Sequence, residues 1–243
     1  MFHIPFIQSD YSKKPMHHIE KNLASVHQLI SEAALAANRQ SKDILLLAVS
    51  KTKPLSDIES AYSVGQRHFG ESYLQEAEQK IIGASHNDLV WHFIGPIQSN
   101  KTRRISELFD WVHSVDRIKI AQRLDQFRPT DKPPLNILLQ VNINQEASKA
   151  GILLDQIPDM AKQIALLNNV TLRGLMAIPK RHDDPAEQSK PFAMMQQALN
   201  QLQHNYPQCD TLSMGMSNDL KAAIAQGSTL VRIGTAIFGP RLT

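Results

Sequence analysis

Hydrophobic residues recur along the chain in two alternating patterns. Short apolar runs, such as Ile44 to Val49, have the length and composition of buried strands. Between these runs lie longer segments with apolar residues three and four positions apart, which is the spacing of an amphipathic helix. The first such segment, 16–38, precedes the first strand and carries apolar residues along one face, from Ile19 to Ala37. The pattern therefore predicts helices and strands in alternation.

Eight strands are predicted, and seven helices separate them. The strands are predicted at 44–49, 67–70, 90–95, 111–115, 135–143, 171–178, 211–214 and 230–235, and the helices between them at 55–63, 72–82, 100–108, 117–127, 154–167, 185–205 and 218–226. Several strands are apolar on both faces, as parallel strands covered by helices require. An alternating α/β chain with eight strands predicts a (β/α)8 TIM barrel with an extra N-terminal helix. An open doubly wound sheet, which usually has fewer strands, is the alternative.

No linker rich in Pro, Gly or Ser divides the chain, so we predict one barrel domain over 16–243 and an irregular N-terminal extension over 1–15. The extension has neither the early positive cluster nor the continuous apolar stretch of a secretory signal. No segment reaches the roughly 18 apolar residues of a membrane span. The single cysteine, Cys209, fits a reducing compartment. These features predict a cytoplasmic protein without membrane contact.

Composition and charge narrow the possible partners. The 243 residues are 42% hydrophobic and 20% charged, as in an ordinary globular protein, and the formal net charge is only +3. The densest basic group, Lys101 to Arg104, opens a predicted helix, so we expect no nucleic-acid partner. No HExxH motif or Cys/His cluster indicates a metal site.

Lys51 follows the first strand directly and is the first candidate for chemistry. Active sites of TIM barrels lie at the C-terminal ends of the strands, and strand side chains alternate between two faces. If Leu47 and Val49 face the barrel interior, Lys51 reaches into its mouth, whereas Lys53 faces solvent. A lysine in a partly apolar mouth, near other positive groups, can form a Schiff base with an aldehyde. A solvated strand-end lysine is the simpler interpretation.

The last strand places a second cation in the same region. In "STLVRIGTAIFGP" the alternation puts Leu230, Arg232 and Gly234 on the inner face. A buried guanidinium needs a partner, so Arg232 faces either a ligand or an internal salt bridge.

Two loops near the same mouth could bind an anion. They are 213–218, which contains Met216 and Ser217, and 232–236, which contains Gly234-Thr235. TIM barrels frequently bind phosphate after strands seven and eight. Simple chain turns and helix caps are the alternative.

Six stretches, taken together, resemble the YggS/PROSC family of pyridoxal 5′-phosphate (PLP) homeostasis proteins. They are "LLAVSKTKP", "GQRHFGESY", "WHFIGPIQSNK", "LRGLMAIP", "LSMGMSNDL" and "STLVRIGTAIFG", and the resemblance covers nearly all of the chain from about Met16. It implies a barrel similar to the N-terminal domain of alanine racemase, with PLP held covalently as a lysine aldimine.

The resemblance also assigns roles to residues. Lys51 would form the Schiff base, Ser217 with Gly234 and Thr235 would bind the phosphate, and Arg232 would face the pyridine nitrogen. Ser72 stands where the family usually has Asn, and the serine side chain is shorter and has a single donor. The predicted cofactor-binding residues are Lys51, Ser72, His92, Met216, Ser217, Arg232, Gly234 and Thr235. For His92, a role as a hydrogen-bonding histidine of the core is the simpler interpretation.

Two functions are compatible with such a site. Opposite Arg232 the pyridine nitrogen stays unprotonated, which weakens PLP as an electron sink. Only eight residues follow Thr235, so we expect no second domain to supply another acid or base. We therefore predict a non-catalytic PLP carrier that buffers and delivers the cofactor, possible recipients being PLP-dependent apo-enzymes, and we favour a monomer. The alternative is a fold-type III PLP enzyme, an amino-acid racemase or decarboxylase.

Overall fold

The computed structural model describes residues 18–240, which form a closed barrel of parallel strands in the order β1 to β8, with β8 paired to β1. The strands are β1 Leu45–Val49, β2 His68–Glu71, β3 Val90–Phe93, β4 Trp111–Val115, β5 Leu135–Val141, β6 Val170–Ala177, β7 Thr211–Ser213 and β8 Leu230–Ile233. The predicted (β/α)8 barrel is confirmed, and the open doubly wound sheet is excluded because the sheet has no edge.

Helices surround this barrel. Within 18–240 they are α1 His18–Ala36, α2 Leu55–Ser63, α3 Leu74–Gly83, α4 Thr102–Leu108, α5 Ile118–Phe127, α6 Ile157–Ile164, α7 Pro185–Asn205, α8 Leu220–Ala225 and α9 Thr235–Phe238. Of the helices in this part of the chain, none is both long and apolar enough to cross a bilayer. The extension predicted over 1–15 lies outside the described residues.

The predicted N-terminal helix is present as α1, which joins the last helices to the first. It packs against α2, α8 and α9. Asn22 donates from Nδ2 to the carbonyl of Ile237 at 2.8 Å, and Arg39 after the helix donates to the carbonyls of Ile224 and Ser228. The amphipathic face predicted for this segment is therefore buried against the end of the chain.

The alternation of faces in β1 and β8 follows the sequence prediction. Leu46 and Ala48 belong to the core between strands and helices, as do Val231 and Ile233 of β8. Leu47 is fully buried but lies outside that core, and its register partner across the sheet is Arg232. Leu47 and Arg232 therefore share the inner face, which is what places the following residues at the mouth.

The end of β8 differs from the prediction. The strand was expected to run to Thr235 but ends at Ile233, and Thr235 begins α9. Gly234 leaves the extended conformation, with ψ −74°, and its carbonyl accepts the N–H groups of Ile237 and Phe238. The helix thus starts directly at the barrel mouth.

Candidate functional site

A cavity of about 830 Å³ lies at the C-terminal ends of the strands. Seven of the eight predicted site residues line it: Lys51, Ser72, Met216, Ser217, Arg232, Gly234 and Thr235. Lys53 does not line it; this side chain donates instead to the carbonyl of Pro240 at 2.6 Å. His92 does not line it either, because the histidine is fully buried inside the barrel.

Buried polar groups fix the backbone on both sides of Lys51. The Ser50 hydroxyl donates to Oε1 of Glu71 at 2.6 Å, and the Ser50 carbonyl accepts from Nζ of Lys80 at 2.8 Å. On the other side, the N–H of Thr52 donates to Glu76 at 2.6 Å, and Thr52 has a positive φ of 63°. This backbone conformation is uncommon for a β-branched residue, so the contacts around it determine how the chain leaves β1.

Glu71 and Lys80 are the charged centre of this support. The side chain of Glu71 is 0% exposed and that of Lys80 is 7% exposed, and Nζ lies 2.8 Å from Oε1. Burial raises the pKa of Glu71, while the charge of Lys80 opposes the shift. Oε2 of Glu71 has no hydrogen-bond partner among the described residues. The carboxylate therefore depends on Lys80 and Ser50.

Arg232 contacts the cavity with a guanidinium that lies mostly within the barrel. Nη1 donates to the carbonyl (2.7 Å) and to Oγ (2.6 Å) of Ser213, and Nη2 donates to the carbonyl of Ala177 at 2.9 Å. No carboxylate in the described part of the chain forms an ion pair with Arg232, so the internal salt bridge considered from the sequence is not found there. Burial lowers the pKa of Arg232 to about 10, and Asp219 opposes that shift. The side chain is thus a cation at neutral pH.

The segments after β7 and β8 line the same cavity. The N–H groups of Thr235 and Ala236 belong to the first turn of α9 and have no acceptor within the helix. After β7, Gly215 turns with φ 96°, and a side chain there would place its Cβ 2.6 Å from that of Ala223. The N–H of Met216 donates to Asp219 at 2.5 Å. The N–H groups that begin α9 therefore suit an anion beside Thr235, whereas on the Ser217 side Asp219 already accepts the N–H of Met216.

Comparison with known proteins identifies the family. The model of the alanine racemase N-terminal domain matches residues 18–241. A pyridoxal phosphate homeostasis protein of Pasteurella multocida is 52% identical over 227 residues, which are 92% of this chain and 97% of the relative. The chain belongs to the pyridoxal phosphate homeostasis family.

Solved structures of similar proteins agree with this assignment. PipY of Synechococcus elongatus, solved with PLP bound, is 37% identical with a TM-score of 0.78, over 91% of this chain and 100% of PipY. An alanine racemase of Corynebacterium glutamicum shares the fold, with 15% identity and a TM-score of 0.68, over 94% of this chain but only 62% of the racemase. This homeostasis-family chain therefore spans its named relatives almost completely and the racemase only in part.

Four residues that support the site were missed from the sequence. Glu71 and Lys80 lie beneath Lys51, and Ser213 and His113 lie beneath Arg232. His113 and Ser213 could have been found from the sequence, because each is a polar residue inside a predicted strand. For Lys80 no signal existed, because a lysine in a helix rich in Glu and Gln is normally a surface residue. In the described part of the chain, no group of His, Cys, Asp and Glu is arranged to hold a metal ion.

Proposed function

We propose that the chain binds PLP in this cavity, covalently through Lys51, and serves in intracellular PLP homeostasis by buffering and delivering the cofactor without robust turnover. The observation that carries the proposal is that one cavity is lined by the amine of Lys51, the guanidinium of Arg232 and the residues that begin α9. The binding of PLP by PipY, a relative with the same fold, supports it.

The three reactive parts of PLP each have a counterpart in the cavity. The amine of Lys51 can condense with the aldehyde, which forms a C=N bond and releases water. The hydroxyls of Ser217 and Thr235, with the N–H groups that begin α9, suit the phosphate. Arg232 would face the ring nitrogen, while Ser72, Met216 and Gly234 form parts of the wall.

The charge of Arg232 supports a carrier over an enzyme. PLP stabilises carbanions best when its ring nitrogen is protonated, and a guanidinium facing that nitrogen disfavours a second positive charge there. The rim also opens to solvent, since Ile178 is 43% and Met216 is 40% exposed. An open rim lets the cofactor exchange with solvent and with apo-enzymes that require it.

Borohydride reduction of the PLP-loaded protein, followed by peptide mass mapping, tests the covalent assignment. We expect a phosphopyridoxyl adduct on Lys51, and loss of the yellow absorbance of bound PLP in Lys51→Ala. Lys53→Ala is the matched control, because Lys53 is two residues away and does not line the cavity. An adduct on Lys53 or on other surface lysines alone would contradict the proposal.

The fold shared with alanine racemase favours a second candidate, a fold-type III enzyme that racemises or decarboxylates amino acids. Incubation of the loaded protein with single L-amino acids, followed by chiral chromatography and amine analysis, distinguishes the two. A carrier leaves the amino acids unchanged over many equivalents. Multiple turnovers that disappear in Lys51→Ala would establish the enzyme instead.

A further inference from the structure

A continuous line of polar side chains crosses the barrel interior and ends at Arg232. Nδ1 of His68 lies 2.9 Å from Nε2 of His92, and Nδ1 of His92 lies 2.9 Å from Nε2 of His113. Nδ1 of His113 lies 3.0 Å from the hydroxyl of Ser213, which accepts from Nη1 of Arg232 at 2.6 Å. These five residues are called the histidine chain below.

The stagger of the strands builds this line. His92 in β3 is level with Gly70, two residues beyond His68 in β2. Trp111 in β4 is level with His92, so His113 again lies two residues further along. Each imidazole therefore lies one inward-facing position nearer to the mouth than the previous one. The chain begins at the first residue of β2, where His68 is partly exposed, and ends beside the cavity.

The direction of every hydrogen bond follows from Arg232, because a guanidinium only donates. Its Nη1 uses both hydrogens on Ser213, one on the carbonyl and one on Oγ. Ser213 is fully buried, and the other partner of its hydroxyl within the described residues is His113. The hydroxyl hydrogen therefore points to Nδ1 of His113, which must be an acceptor.

An acceptor at Nδ1 fixes the proton of His113 on Nε2, from which it donates to Nδ1 of His92. The same reasoning places the proton of His92 on Nε2, where it donates to Nδ1 of His68. A second proton on His92, at Nδ1, would face the Nε2–H of His113 at 2.9 Å, and a second proton on His113, at Nδ1, would face the hydroxyl hydrogen of Ser213 at 3.0 Å. The environment agrees: burial lowers the pKa of both histidines well below the ordinary value.

We propose that His68, His92 and His113 are positioning residues for Arg232: three neutral imidazoles, each protonated on Nε2, orient the guanidinium toward the cavity through Ser213. The chain supports a cation without adding a carboxylate, so the positive charge at the cavity wall is kept. As a positioning role for bound PLP, it rests on the proposed function; the tautomers can be tested independently.

The first test uses the PLP-free protein labelled with 15N at histidine. Long-range 1H–15N spectra between about pH 6.5 and pH 8 should show His68, His92 and His113 as neutral Nε2–H tautomers. In Ser213→Ala the donor to His113 is lost, so the signals of His113 should shift toward a mixture of tautomers. An Nδ1–H tautomer or a charged imidazole at His92 or His113 in the unmodified protein would overturn the proposal.

The second test uses the absorbance spectrum and dissociation constant of bound PLP. His113→Phe should shift the absorbance band and raise the dissociation constant about tenfold, which corresponds to the loss of one hydrogen bond at about 1.4 kcal/mol. His113→Asn, whose amide oxygen can accept from Ser213, should restore part of the spectrum. His86→Phe is the control, because His86 bonds Glu59 outside the histidine chain.

The outcomes separate the two proposals. A spectrum and affinity unchanged in His113→Phe, with PLP still bound to the unmodified protein, would overturn the positioning role alone. If the unmodified protein shows the expected tautomers but does not bind PLP, the proposed function fails and the role toward the cofactor fails with it. The assigned tautomers would then stand as a property of the barrel.

Discussion

Two buried polar networks support Lys51 and Arg232 of the cavity, and they are built differently. The network at Lys51 is ionic: Glu71 and Lys80 form a charged pair that hydrogen-bonds Ser50, and Lys80 also pairs with Glu76. The network at Arg232 is the histidine chain, in which the groups below the guanidinium are neutral. The ionic network fixes the backbone next to Lys51, whereas the histidine chain hydrogen-bonds the guanidinium of Arg232 itself.

The difference shows what each site needs. The Glu71 carboxylate can hold a backbone segment because Lys80 compensates its charge, so it adds no net charge near the cavity. A carboxylate on Arg232 would instead neutralise the cation that faces the ligand. Neutral imidazoles and a hydroxyl satisfy the guanidinium while leaving its charge available.

Breaking the ionic network should have the largest effect. In Lys80→Met the carboxylate of Glu71 stays buried without its cation, so we expect the free energy of unfolding to fall by about 3–5 kcal/mol. Urea denaturation at neutral pH measures this change. The double variant Lys80→Met/Glu71→Gln removes both charges and should recover most of the loss. A fall below about 1 kcal/mol in the single variant, the value of an exposed ion pair, would contradict the ionic interpretation.

A fall in pH should destabilise the protein mainly through the histidine chain. The pKa values of His92 and His113 are lowered in the fold by burial, so the unfolded chain binds more protons below its histidine pKa of about 6.5. The stability from these neutral histidines is complete above that pH and is lost as the pH falls toward the lower folded values. Each contributes a slope of up to about 1.4 kcal/mol per pH unit.

Urea denaturation between about pH 7.5 and pH 5 measures this slope, and His113→Asn should reduce it by the share of one histidine. The raised pKa of Glu71 acts in the opposite direction, since protonation there stabilises the fold as the pH falls toward the folded value. A stability that is flat over this window in the Glu71→Gln background would contradict the assignment of neutral histidines.

The sequence predicted the cavity better than it predicted these supports. Lys51 and Arg232 could be assigned to the mouth because strand alternation and barrel geometry are both periodic, and each residue lies at or just after a strand end. Gly234 and Thr235 were also placed at the mouth, although Thr235 was assigned to a strand and in fact begins α9.

The histidine chain could not be derived in the same way. Alternation indicates which strand residues face inward, but the height at which they meet depends on the stagger between β2, β3 and β4. That stagger is a property of the closed barrel as a whole. His92 was consequently considered as a cofactor contact, whereas the structure places it among histidines below the cavity.

The smallest expected effect comes from removing one buried hydroxyl. It tests whether the Glu71 network positions Lys51 or only stabilises the barrel. Ser50→Ala removes the hydroxyl that donates to Glu71, and Ser106→Ala removes a comparable buried bond to the carbonyl of Leu124. Each should lower the free energy of unfolding by about 1–2 kcal/mol. PLP affinity should fall severalfold only in Ser50→Ala, because Ser50 adjoins Lys51 while Ser106 lies outside the cavity lining. Equal loss of PLP affinity in both variants would mean that the Glu71 network stabilises the barrel without positioning Lys51.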